Sequence, residues 1–138
     1  NVGNVEFRGI VVEFKKPASP GAKPVAGPEG QDPVKTDPAK TKVVFENERV
    51  RVLESHLKPG ERLAMHWHPA NIIYALTDAK AKFTDPAGKA TEKTLAAGAA
   101  MWSDAVSHAV ENIGTAEMGA LNFEFKDSIE AAPKAKAG

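Results

Sequence analysis

The chain has 138 residues, 42% of them apolar, and its 18 basic side chains balance 18 acidic ones. That length holds one core with extensions rather than two full domains, and the charge balance leaves no basic field for nucleic acid and no acidic one for cationic partners. With no cysteine, disulfides, thiolate zinc fingers and thiol nucleophiles are excluded, and no apolar run approaches the roughly 20 residues of a membrane-spanning helix.

In chain order, Val5 to Phe14 is rich in β-branched and aromatic residues and predicts an N-terminal strand within residues 1–16. Lys15-Lys16-Pro17 ends it. Residues 17–40 are dominated by Pro, Ala, Gly, Lys and Asp, with prolines at 17, 20, 24, 28, 33 and 38. Such a stretch buries too little apolar surface to offset its ordering entropy and favours extended polyproline geometry. It predicts a linker, or an arm lying on a surface.

The globular part is expected over residues 41–127. Strands are predicted at 42–46, 49–57, 62–68, 72–77, 80–84 and 90–95, then from Met101-Trp102, from His108 to Asn112 and from Glu117 to Lys126. Turn chemistry separates them, as in Lys58-Pro59-Gly60, Asp85-Pro86-Ala87-Gly88 and Ala96-Ala97-Gly98. Strands at about ten-residue spacing, with no convincing helix, describe an all-β sandwich or barrel. Residues 128–138 read as a flexible tail. A first residue other than Met and the Pro/Ala/Lys linker point toward export, periplasmic or secreted, over the cytoplasm.

An internal echo aligns Asn1–Lys15 with Asn112–Lys126 without a gap, matching Asn, Gly, two Glu, Phe and Lys, and a Pro/Ala/Lys stretch follows each copy. Two readings stay open. Residues 1–15 are the last strand of a preceding, similar domain in a tandem-repeat protein, or two edge strands share a composition by coincidence.

The chemistry concentrates in Gly60-Glu61-Arg62-Leu63-Ala64-Met65-His66-Trp67-His68-Pro69. Side chains alternate faces along a strand, so His66 and His68 point the same way with Cα atoms roughly 6.5–7 Å apart. Both imidazoles can reach one ion. A transition-metal site wants three or four ligands, so this strand is a half-site. Leu63, Met65 and Trp67 alternate against the histidines and are expected to pack an outer layer or a dimer interface.

The spacing from Gly60 to Asn112 resembles the two motifs of the cupin superfamily, and in particular its small single-domain "cupin 2" barrels. Gly60, His66 and His68 fit the first motif, and Gly98, His108 and Asn112 the second, over about residues 41–127. The resemblance implies a jelly-roll β-barrel, or double-stranded β-helix, with the N-terminal strand and Pro-rich arm attached. It also implies a metal site formed by His66, His68 and His108. Where the family places a metal-binding Glu, this chain has Asn71, Ile72 or Ile73; the second motif's Pro and Gly are Asp104 and Val106.

Losing that carboxylate has a definite consequence. Three neutral imidazoles leave a divalent ion with its full +2 charge, which favours anionic or readily deprotonated ligands and lowers the pKa of a bound water more strongly. Asn71 is a candidate weak ligand or hydrogen-bond partner behind the ligands. His56 reads as a surface or rim residue, or as a possible pocket residue; Tyr74, Phe83, Met101 and Trp102 as core or as walls of an apolar cavity; Asp104 as a turn residue, a base or a ligand. Imidazole suits Fe, Mn, Ni, Zn and Cu alike.

The functions implied are a divalent-metal enzyme acting on a small organic molecule by oxygenation, isomerisation or lyase chemistry, a non-catalytic module binding a small ligand or metal, or a structural repeat with a vestigial site. A homodimer in which the N-terminal arm crosses to the partner is expected, because an unpaired edge strand is a template for pairing.

Overall fold

A computed structural model of the chain describes residues 3, 6–17 and 25–127. Two antiparallel sheets face each other. In chain order the strands are β1 (Thr41–Glu46), β2 (Val50–Leu57), β3 (Arg62–His68), β4 (Asn71–Ala75), β5 (Ala79–Thr84), β6 (Ala90–Leu95), β7 (Ala100–Ser103), β8 (Val106–Asn112) and β9 (Met118–Phe125). One sheet runs β1-β2-β9-β4-β7 and the other β3-β8-β5-β6. The chain alternates between the sheets from β2 to β5 and again from β6 to β9, while β1–β2 and β5–β6 pair within one sheet, and the jelly roll expected from the motifs is the observed architecture.

Strict alternation sorts each strand's residues. Along β2 and its partner β9, Leu53, Ser55 and Leu57 lie opposite Asn122, Ala120 and Met118, and these line the space between the sheets. Leu57, Leu63, Ala81, Val110 and Met118 form the buried core there. The other parity of the same strands, Val50, Val52, Phe123 and Phe125, builds a second apolar cluster on the outside of the five-stranded sheet, joined by Ile72 and Leu121. The glycines that open the two motifs are both in the left-handed region, Gly60 at φ 84° and Gly98 at φ 87°. A side chain there would be strained, so glycine sets the turns that launch β3 and β7.

Two expectations are corrected outside the barrel. The N-terminal strand expected over 5–14 is not seen within one chain: residues 6–14 carry no ladder. Val12 and Phe14 nevertheless pack on the outer apolar cluster, with the Phe14 ring edge-on to Phe125 and the Arg49 guanidinium 3.9 Å above it. The predicted tail, 128–138, lies outside the described residues.

The Pro-rich stretch also contains one helical turn, α1 (Pro33–Thr36), where no helix was expected. Asp32 caps it by accepting from the Val34 amide at 3.0 Å, and Pro33 occupies the first turn, where a missing N–H costs nothing. From Val25 to Lys40 the chain is a strap on the barrel. Its backbone is fixed by Val25 N–H donating to Lys126 O at 3.0 Å and by Trp67 N–H donating to Gln31 O at 2.7 Å. The strap packs α1 against β3 and β1, edge strands of the two sheets, and buries Pro33 at the seam between them. The surface-arm alternative for this stretch is thus the arrangement seen for residues 25–40.

Candidate metal centre

Strand pairing brings the third histidine to the first two. In the β3–β8 ladder His66 sits directly opposite His108, and directly opposed residues on one face have neighbouring Cβ atoms. His68, two residues farther along β3, shares that face. The imidazole centroids are 4.8 Å apart for His66–His68, 4.8 Å for His66–His108 and 5.4 Å for His68–His108. Their ligand nitrogens all lie within 4.8 Å of one another. All three rings are buried.

Hydrogen bonds aim two of the rings. His66 Nδ1 lies 2.7 Å from the Ala64 carbonyl, which can only accept, so Nδ1 carries the hydrogen and Nε2 is left as the ligand atom. His68 Nδ1 lies 2.6 Å from Glu124 Oε2, and the same logic frees its Nε2. Burial, reinforced by the neighbouring His68, pushes His66 down to about 4. Burial, with His68, His66 and Lys93 adding to it, pushes His108 down to about 3. Both are therefore neutral bases near pH 7, the form a metal requires.

Glu124 is a residue of this cluster that motif reading does not reach. It is 2% exposed, comes from the opposite sheet, and accepts from Arg51 Nε at 2.9 Å as well as from His68. Arg51 in turn contacts Asp32 of the strap at 3.3 Å. A carboxylate behind a histidine fixes the ring and raises its basicity as a ligand. The one signal in the sequence was Phe123-Glu124-Phe125, where alternation puts a charge on the face opposite two aromatics.

The remaining candidates separate. Asn71 is buried, but its Nδ2 donates to Pro69 O at 2.8 Å and its Oδ1 accepts from Asn122 Nδ2 at 2.9 Å. It steadies Asn122, which lines the cavity. Of the three residues at the expected Glu position, Ile73 is on the cavity wall. Met101 borders the outer vestibule. His56 is not a pocket residue: it is exposed on the outer face of β2, 2.6 Å from Glu54 and 3.3 Å from Glu117. Tyr74 is half-buried on the outer parity of β4, away from the cavity. Asp104 is an exposed turn residue accepting from Trp102 Nε1 at 3.0 Å. Asn112, the last residue of the second motif, is a clamp. Its amide donates to Leu57 O and Ala116 O and accepts from the Gly114 N–H, each at 2.9 Å.

One parity was also misread. Leu63 was expected on the outer layer, yet it is buried in the core with the histidines. Between Leu63 and His66 the register slips: Leu63 pairs with Val110 and His66 with His108, three residues against two. This β-bulge inserts one residue and turns Leu63 to the inner face. Trp67 keeps the outer parity and is covered by Gly27 of the strap.

The inner cavity beside the histidines has a volume of about 40 Å³, and Leu57, Leu63, Ile73, Phe83 and Asn122 contribute to its wall. With one water needing about 10–15 Å³, that is room for an ion together with two or three water-sized groups. Past His108, Ile73 and Phe83 it meets an open vestibule of about 310 Å³ bordered by Lys89, Lys93, Met101 and Trp102.

Neither the protein-family models nor the curated proteins give a match to this sequence. Solved structures do. A cupin domain from Bordetella pertussis Tohama I is 26% identical with a TM-score of 0.58, over 62% of this chain and 91% of that one. A double-stranded β-helix protein from Klebsiella pneumoniae is 20% identical with a TM-score of 0.53, over 77% and 86%. A cupin superfamily protein from Desulfitobacterium hafniense DCB-2 is 15% identical with a TM-score of 0.50, over 63% and 76%. With the jelly-roll order of its sheets and both glycine–histidine motifs in place, the chain belongs to the cupin superfamily.

Proposed function

We propose that His66, His68 and His108 hold a divalent first-row metal and that the chain acts on a small organic molecule at that ion, by oxygenation, isomerisation or lyase chemistry. The observation that carries this is the convergence of three buried imidazoles, two with their Nδ1 hydrogens committed elsewhere. The donor set fits: three neutral nitrogens suit several first-row ions and leave coordination positions open. A bound ion would supply Lewis acidity and an acidified water. The chain's own residues orient the ligands through Glu124 and Ala64 and keep the surroundings apolar.

A second reading, a non-catalytic module that binds a small ligand or metal, is favoured by the cavity wall. Among the described residues, those lining it include no Asp, Glu, Lys or Tyr, so of these only the histidines are placed for general acid–base work. Metal analysis of protein purified without added metal is the first test. About one equivalent is expected in the wild type and none in a His66→Ala/His108→Ala variant; an empty wild type that also refuses added Fe, Mn, Ni, Zn and Cu overturns both readings. Turnover or oxygen uptake over a substrate panel then separates enzyme from binder.

A homodimer is part of the proposal. Its support is the outer apolar cluster, where Trp102 stacks on Phe125 at 5.8 Å while 47% exposed, and where Phe7 and Val11 of the neighbouring N-terminal segment are also exposed. A monomer by light scattering at micromolar concentration sinks it.

A further inference from the structure

The vestibule outside the histidines has an uneven charge. Lys89 and Lys93 both border it, and neither side chain forms an ion pair among the described residues. Nearby lysines are neutralised: Lys80 pairs with Glu92 at 4.0 Å and Lys82 with Glu111 at 3.3 Å. Among the described residues one acidic side chain borders the vestibule, Asp85, and it is committed to its turn, where Oδ1 accepts from the Ala87 and Lys89 amides at 2.9 Å each. Lys93 Nζ stands 5.5 Å from the Phe83 ring centroid, and that ring lies 5.3 Å from the His108 ring. A cation, an apolar ring and the candidate metal ligands thus follow one another from the mouth inward.

We propose that the vestibule selects a small organic acid, its carboxylate paired with Lys93, its apolar body against Phe83 and Met101, and its far end at the three imidazoles. The inference rests on the metal-site reading and names the ligand class for it. A cationic ligand would meet two unpaired lysines and an ion whose three ligands are all neutral. A neutral ligand would leave that field unanswered. An acid satisfies both, and the Lys93 charge, already felt at His108, is the recognition element at the outer end. Lys93 is a specificity-determining residue here and has no part in holding the metal.

The test loads the full chain with Co²⁺, measures the metal-to-protein ratio, and then titrates a panel of aliphatic, hydroxy and aromatic monocarboxylates against their primary amides, following the Co²⁺ absorption bands and the heat of binding. At least one acid should bind at least about tenfold tighter than its amide. Lys93→Gln should weaken that acid about tenfold while leaving the metal ratio unchanged, and Lys93→Arg should restore most of the affinity. Amides binding as well as acids, no acid binding at all, or a Lys93→Gln variant indistinguishable from wild type each overturn the inference while the metal site stands. A chain that takes up no Co²⁺ overturns the metal reading and this inference together, and is seen before any acid is added.

Discussion

Glu124 Oε2 accepts a 2.6 Å hydrogen bond from His68 Nδ1 across the interior, joining β9 of one sheet to β3 of the other. Glu124→Gln keeps the shape and removes the charge. It should weaken metal binding by roughly 10–100-fold, the usual cost of losing a partner behind a histidine ligand. Competition against a chromophoric chelator measures it. Equal affinities in variant and wild type would show that the carboxylate only fills space.

Arg51 is what makes Glu124 tolerable. A carboxylate 2% exposed is stable when paired, and Arg51 Nε supplies that partner at 2.9 Å. Arg51→Ala strands the charge and should cost about 3–5 kcal/mol in urea unfolding. An Arg51→Met/Glu124→Met double variant should recover much of that loss while staying weak for metal, since it removes both charges together. A double variant no more stable than Arg51→Ala contradicts the pairing.

The strap tests a different dependence. A Cβ on Gly27 would run into the Trp67 indole at Cε3 and Cδ2. Gly27→Val must therefore lift the strap off β3 or displace the ring. Either way the Gln31 contact to the Trp67 amide and the Asp37 Oδ2 contact to the Ala64 amide, at 2.7 and 2.9 Å, are put under tension. The variant should show a red-shifted tryptophan emission, cleavage within 25–40 at lower protease concentration, and metal affinity reduced several-fold. Unchanged emission and cleavage would mean that the strap does not need this close approach.

How far the sequence could be read follows from which rules are local. Alternation and turn chemistry located β3 to the residue and put His66 and His68 on one face. His108 needed more, because its place opposite His66 depends on a β3–β8 pairing some forty residues apart in the chain, and only the motif spacing carried that. Leu63 was misplaced because a bulge is a tertiary event with no mark in the sequence of β3. Residues 25–40 have a composition that reads as unstructured. They are ordered where the β3 edge offers the Ala64 and Trp67 amides, and Asp37 and Gln31 answer them. Glu124 was hidden for a simpler reason: alternation says that it faces away from Phe123 and Phe125, and cannot say which of those faces is the inside.

Acid should destabilise the metal-free chain over a window that the two depressed histidines define. An unfolded imidazole titrates near 6.5, whereas His66 is held down to about 4 and His108 to about 3 by burial and by neighbouring charges. Between those limits the unfolded chain binds more protons than the folded one. Stability is therefore full above about pH 6.5 and falls as the pH drops, until both buried rings are protonated near pH 3. Each pH unit of depression is worth about 1.4 kcal/mol, so the two rings together cost on the order of several kcal/mol across the window. His108→Gln, neutral throughout, should be less stable at pH 7 yet lose less between pH 6.5 and 4. Added metal should move the fall to lower pH, because an ion competes with protons for the same lone pairs and adds its binding free energy to the folded state. Urea titrations at half-unit pH steps, with and without one equivalent of metal, measure both. A wild type whose unfolding free energy is flat from pH 6.5 to 4 would mean that these rings are far more open to water than their place between the sheets implies.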